Sequence, residues 1–389
     1  MKILIITPFF PYARVAHASG KFIYEIIKGL SKKYDIHLFS RIEPYEMRFV
    51  KEMDAFCKDI ILYKFKTPKD SNPFRSFLII LSYLIFAIKA NRIIQNGNYD
   101  LVHVEHTQTG ILLRKFKNTT MILLAHDVIT KPAERRYSFS RGTFKRAIGW
   151  LKWQITKIIE VYISKKYDII LTLSQVDKDI LLRLVPDIKI SVMPFPFEVC
   201  DYQYNVERAE DITLFVGAIN RDVNQDAVIY FYKEVFPFIR KEVPDVKFYI
   251  VGNNPPENIR SLAANDPNVI VTGYVESLTP YYQRATVFVS PILIGGGIIA
   301  KNLNAMANGL PVVTTSIGNE GIEAIPDREI LIADTPEEFA KKVIILLNDK
   351  DIRSKIGKAG KRFVKEKFDL KQVIDKIDRV WESNKSDLH

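Results

Sequence analysis

The pattern that most constrains this chain is a strand–helix alternation that runs, stops and starts again. The first half sets short β-branched runs against helical stretches: KILIIT, GKFIYEIIKGLSKKY and IHLFS, then DLVHVEH, TMILLAH and DIILTLS. Such alternation implies parallel strands, because each return to the same end of a sheet needs a crossover long enough to hold a helix. After PFPFEVCDYQ the rhythm restarts with ITLFVGAI, KFYIVG, NVIVTGY, ATVFVSP, LPVVTTS and EILIA. The expected class is therefore α/β with two doubly wound domains, and 389 residues is too long for one comfortable core. Pro194, Pro196 and the polar stretch after them place the boundary near residue 200, giving domains 1–200 and 201–360. In 361–389, Phe363, Val364, Phe368, Val373, Ile374, Ile377 and Val380 have a mostly helical spacing, which predicts a helix over Lys361 to Trp381 that caps one domain. Open sheets of this kind bind ligands beyond the carboxyl ends of their strands, so the domains are expected to face each other across a shared cleft.

Charge narrows the partners. A formal charge of +11 suits an anionic one: nucleic acid, an acidic membrane surface or a phosphorylated ligand. No helix-turn-helix signature, RNA-binding aromatic motif or long basic block supports nucleic acid. Cys57 and Cys200 are too few for a disulfide scaffold, and with no signal-peptide pattern at MKILIITPFF a cytoplasmic protein is expected. The apolar run Phe77 to Ile88 is expected to be too short to span, at about 18 Å against roughly 30 Å for a bilayer core. From Ser140 to Lys166, Ile148, Leu151, Ile155, Ile158 and Tyr162 form one helical stripe, with Arg146, Trp150, Trp153 and Lys157 beside it. That pattern fits either docking on an anionic membrane or an ordinary helix packed on its own sheet.

The chemistry concentrates at GGGIIAKNLNAMANGLPVV, Gly295 to Val313. Gly295, Gly296 and Gly297 let backbone amides approach an anion, and the helix after them presents its positive end to the same place. Lys301, in that helix's first turn, adds a full charge, so a diphosphate is the natural occupant. A Gly-rich turn that serves only strand–helix packing is the other reading of the loop. Asp177-Lys178-Asp179 reads as a helix start capped by Ser174, and no metal site is expected there.

LFVGAINRDVNQDAV, PDVKFYIVGNNPP, NVIVTGYVESLTPYYQRATVFVSP, GGGIIAKNLNAMANGLPVV and TSIGNEGI follow the order and spacing of a known domain. Over about residues 212 to 345 the chain resembles the donor domain of the group 1, glycogen-synthase-like, nucleotide-sugar glycosyltransferases of GT-B fold. Ser19-Gly20 and Ala125-His126-Asp127 extend the resemblance to the first half. It implies two Rossmann-like domains around a cleft, a C-terminal helix crossing back to the first domain, and sugar transfer from a nucleotide diphosphate to a glycan or lipid-linked acceptor. It also implies retention of anomeric configuration and no cofactor or metal. Lys301, Arg221 and the glycine amides are implied to meet the diphosphate, and Gly20 to let the first domain's loop approach the same phosphates. Tyr274 after Gly273 would line the base pocket, and Glu320 would lie near the donor sugar or ribose. His126 would stand on the acceptor side, orienting or polarising a hydroxyl; a structural histidine is its alternative.

The departures from the family pattern are specific. Asn304 stands where the family usually has a glutamate that grips both ribose hydroxyls, and Gly296 where many members have another. Ile298 and Ile299 replace basic or hydroxyl residues of close relatives, and a lysine that often follows the first donor-domain strand is absent, with Asn224 nearby. A buried bond to a charged acceptor contributes roughly 1.5–3 kcal/mol against about 1 for a neutral one. Weaker donor binding is expected, and a GT-B-shaped binding subunit without turnover is the alternative.

Overall fold

The computed structural model describes residues 1–15, 18–68, 73–139, 142–197, 210–294 and 298–383. Its first sheet is parallel and has seven strands: β1 (Lys2–Thr7), β2 (Asp35–Ile42), β3 (Asp59–Lys64), β4 (Leu101–Glu105), β5 (Thr120–Ala125), β6 (Ile169–Thr172) and β7 (Lys189–Val192), in the order β3-β2-β1-β4-β5-β6-β7. The second has six: β8 (Ile212–Val216), β9 (Lys247–Val251), β10 (Val269–Gly273), β11 (Val287–Ser290), β12 (Val312–Thr314) and β13 (Leu331–Ile332), in the order β10-β9-β8-β11-β12-β13. Both are doubly wound. Each order reverses once, between β1 and β4 in one sheet and between β8 and β11 in the other, and the gap beyond the strand ends at such a reversal is where these sheets hold ligands.

Burial explains the sequence pattern. β1, β4, β5 and β8 have helices over both faces and are buried almost throughout, so they read as unbroken apolar runs. β4 is the exception in composition, since His103 and Glu105 are buried in it. The edge strands β3 and β7 are only partly covered. In the second core Phe231 packs on Phe248 at 4.7 Å between ring centroids and on Phe236 and Phe339 at 6.0 Å.

The chain forms two compact units, Met1–Phe195 with Leu370–His389, and Pro196–Asp369. The tail expected as one helix is two: helix Lys350–Phe368 belongs to the second unit and helix Leu370–Ser383 to the first. The break falls at Asp369, which is extended (φ −58°, ψ 132°) and bridges to Phe197, whose N–H donates to Phe368 O at 2.8 Å. Beyond it, Val373, Ile377 and Trp381 are buried in the first unit, and Gly29 makes room for Ile374.

A second difference concerns Phe77 to Ile88. The helix runs Arg75–Gly97, 23 residues, and ends where Asn98 turns left-handed (φ 46°). At about 35 Å it is long and apolar enough to cross a membrane, so the length argument against spanning falls. Its inner side, Ser82, Phe86, Ala90 and Ile94, is buried against the first sheet.

Trp381 is fully buried, edge-on to Tyr34 and His103. Trp381→Ala should lower the stability of the first unit by about 3–5 kcal/mol, read from its urea transition; a shift below ~1 kcal/mol would mean that the last helix docks without this anchor.

Candidate active site

Two of the sequence-predicted donor residues, Arg221 and Lys301, come together at the reversal point of the second sheet. β8 ends at Val216 and is followed by Gly217; the chain turns there into helix Asp222–Tyr230, with Arg221 as its N-cap residue. From the neighbouring strand β11 the chain leads to helix Ala300–Ala307, whose second residue is Lys301. The Lys301 ammonium donates to Asn224 Oδ1 and lies 4.2 Å above the centre of the Phe215 ring, while Asn224 Nδ2 donates to Ala218 O at 2.8 Å. Gly217 makes this possible, because a Cβ there would stand 3.0 Å from Asn224 Nδ2 and 3.2 Å from Lys301 Nζ. Gly252, at the end of β9, is held closer still: a Cβ on it would lie 1.7 Å from Gly217 O.

The electrostatics of this cluster are unbalanced. Burial, and then the positive charge of Arg221, push Lys301 down to about 7 from an ordinary 10.5. Its one hydrogen-bond partner is a neutral amide, and among the described residues no carboxylate forms an ion pair with Lys301 or Arg221. Two cations at a strand edge with no anion between them leave a place for one.

Two further donor candidates follow strands of the same sheet. Gly273 ends β10 with φ 72°, a left-handed conformation, and its carbonyl accepts from Gly252 N–H at 3.2 Å; Tyr274 after it is 75% exposed. Glu320 follows β12 at the end of the short helix Ser316–Asn319. Asn304 is exposed on the helix of Lys301, and Gly295, Gly296 and Gly297 lie outside the described residues. The sequence did not single out Asn302, which is buried and donates from Nδ2 to Thr314 Oγ1 (3.2 Å) and Gly318 O (3.0 Å), tying the Lys301 helix to the end of β12.

In the first unit, Ser19 and Gly20 lie in the opening turn of helix Ala18–Leu30 and not in a loop after β1 as expected. His126 is buried just beyond β5 and is held by a carboxylate, not by a loop carbonyl: its Nε2 lies 2.8 Å from Glu105 Oε2. The other oxygen, Oε1, is 3.0 Å from His103 Nε2, and Trp381 Nε1–H donates to His103 Nδ1 at 3.2 Å. The bonding assigns the protons, because an indole N–H only donates; His103 Nδ1 must accept, so its Nε2–H donates to Glu105. Burial opposes the charge of Glu105, but the hydrogen bonds from both imidazoles outweigh it and hold the carboxyl down at about 2. His126 also stacks on His106, 3.8 Å between centroids.

Asp177 and Asp179 serve separate ends. Ser174 caps the Asp177 N–H at 3.1 Å and donates to its Oδ2 at 2.8 Å, Lys131 donates to Asp177 Oδ1 at 3.3 Å, and Asp179 accepts from Gln175 at 2.7 Å.

A pair of doubly wound parallel sheets, one with an unbalanced cation pair at its reversal point, defines an α/β protein with a place for an anionic ligand. Comparison with known proteins gives the class its family. Residues 210–349 match the model described as Glycosyl transferases group 1, and residues 19–197 the model described as Glycosyltransferase Family 4. An uncharacterised 44.6 kDa protein of the cps region of Klebsiella pneumoniae is 28% identical over 298 residues, 72% of this chain and 74% of its own. A UDP-Gal:α-D-GlcNAc-diphosphoundecaprenol α-1,3-galactosyltransferase of Escherichia coli is 22% identical over 314 residues, 76% of this chain and 78% of its own. In fold, the sucrose-phosphate synthase of Thermosynechococcus elongatus superposes with a TM-score of 0.71 at 16% identity, over 98% of this chain and 99% of the other. The chain belongs to the group 1 glycosyltransferases and has their GT-B fold.

The His103–Glu105–His126 bonding can be tested directly. A glutamine at 105 offers one acceptor and one donor, and His103 is committed by Trp381. Glu105→Gln should therefore move the His126 proton from Nε2 to Nδ1, visible as an exchange of its two ¹⁵N shifts; unchanged shifts would contradict the assigned bonding.

Proposed function

We propose that this enzyme moves a sugar from a nucleotide diphosphate donor to a glycan or lipid-linked acceptor in the synthesis of a surface polysaccharide or glycoconjugate. The observation that carries the reading is the Lys301–Arg221 pair. Loss of the leaving nucleotide concentrates negative charge on its diphosphate, and an enclosed lysine held by Asn224, with exposed Arg221 beside it, would oppose that build-up at the transition state. In this reading Lys301 and Arg221 meet the phosphates without a metal. Tyr274 and Glu320, beyond β10 and β12, take the base and the sugar or ribose, and exposed Asn304 offers the ribose a neutral amide. On the acceptor side, Glu105 commits His126 Nε2 to donation, leaving Nδ1 to accept from a hydroxyl. Retention of configuration follows from the family resemblance. The UDP-sugar and the lipid diphosphate in the name of the Escherichia coli relative are consistent with these substrate classes.

A thermal-shift screen of nucleotide sugars, followed by an assay for released nucleotide, tests the reading; stabilisation by none of them would sink it. Lys301→Met tests the site itself. With a folded-state value near 7 against 10.5, Lys301 binds fewer protons in the folded than in the unfolded chain between those limits. Its burial therefore costs stability in full below pH 7, and less as the pH rises toward 10.5. The variant should melt at least about 2 °C above wild type at neutral pH in the absence of nucleotide while losing the nucleotide-induced shift. A lower melting point with the nucleotide response intact would place the diphosphate elsewhere.

A further inference from the structure

Two helices of the first unit carry apolar rows that the fold leaves in solvent. Helix Arg75–Gly97 is apolar on nearly every side, which suits a core or lipid. One side packs on the sheet, yet Phe77, Ile80, Leu84 and Ile88 opposite are 62%, 61%, 41% and 53% exposed. Helix Thr143–Ser164 does the same. Ile163 is buried and Ile159 packs against the core, while Phe144, Ile148, Leu151, Ile155, Ile158 and Tyr162 form an exposed row. The stripe read from the sequence thus faces outward, and the alternative of packing on its own sheet fails for these residues. Trp150 is exposed beside the row, whereas Trp153 stacks on Tyr137 under Lys157.

The two helices border one surface. The segment 111–114 is clamped between them: Asn91 donates to Leu112 O (3.3 Å) and accepts from Arg114 N–H (2.9 Å), while Lys166 donates to Ile111 O (2.6 Å) and Leu113 O (3.1 Å). A cavity of about 690 Å³ opens beside this segment, lined by Leu112, Arg114, Lys115, Ile159, Tyr162 and Lys166.

Charge selects the occupant. The helices hold Arg75, Lys89, Arg92, Lys145, Arg146, Lys152 and Lys157, and their only acid, Glu160, is buried against Thr130. A second copy would set these cations against their like. Nucleic acid would meet the cations and leave the apolar rows wet. A bilayer containing acidic phospholipids satisfies both, taking the rows below its headgroups and drawing the flanking cations to its surface.

We propose that this face of the first unit docks on an anionic phospholipid bilayer, with a phospholipid headgroup in the cavity beside Arg114 and Lys115. The inference concerns the first unit alone and does not rest on the sugar-transfer reading. The test is cosedimentation of the full chain with vesicles of phosphatidylcholine alone or mixed with phosphatidylglycerol. Wild type should bind the mixed vesicles in a salt-sensitive way and leave the neutral ones in solution. Ile80→Glu with Leu84→Glu, and separately Leu151→Glu with Ile158→Glu, should lower binding at least about tenfold; Arg114→Gln with Lys115→Gln should lower it without touching the apolar rows. Melting temperature and any nucleotide response should stay at wild-type values in all three, which separates loss of docking from loss of fold or of the donor site. Equal binding to both vesicle types, or binding indifferent to the apolar substitutions, would overturn the proposal. So would a dimer that the same substitutions dissociate, or retention by DNA, where the wild type ignores acidic vesicles.

Discussion

The second unit holds one electrostatic imbalance, the enclosed ammonium of Lys301 beside the guanidinium of Arg221 with no carboxylate among the described residues paired with either. Burying an ammonium beside another cation costs stability that an arriving anion would return. Much of the second unit's local geometry serves it. The reversal of strand order between β8 and β11 opens the gap, and Gly217 keeps its near wall bare. Asn224 gives the lysine a fixed direction without neutralising it, since an aspartate there would supply the missing anion internally.

The first unit departs from apolar packing in a comparable place. Beside its own reversal point, β4 carries His103 and Glu105 in a strand that is otherwise aliphatic, and β5 ends just before His126. There the polar groups are paired with one another: a carboxylate accepts from two imidazoles, and Trp381 closes the chain of bonds. Among the described residues, no carboxylate pairs with Lys301 or Arg221 at one reversal point, whereas at the other Glu105 is bonded to both imidazoles.

How much of this is visible in the sequence follows from burial. Strands rich in β-branched and apolar residues announce themselves, so eleven of the strand segments stand out, the edges β10 and β13 among them, whereas the edge strands ILYK and KISV do not, being half-covered and lysine-flanked. Lys301 and Arg221 are legible through motif spacing. Asn224 is not, because its role depends on a lysine far along the chain, and Gly217 and Gly252 give no local sign that their backbones touch. His103 and Glu105 could have been flagged: period two places them on one face of a strand with no other reason to be polar. The break at Asp369 lies hidden inside continuous helical spacing, since only pairing with Phe197 creates it. Periodicity finds the stripe on helix Thr143–Ser164 but cannot say which side is buried, since core and exposed rows obey the same spacing.

The most direct test of the central claim is calorimetric titration of the protein with UDP at pH 8, in buffers of different ionisation enthalpy. With Lys301 near 7 in the free protein, most molecules are neutral there at pH 8, and an arriving diphosphate should restore the charge. Uptake should approach one proton per UDP bound and affinity should fall with rising pH above 7, both effects absent in Lys301→Arg, whose charge is permanent. Tight UDP binding with no proton uptake would contradict it.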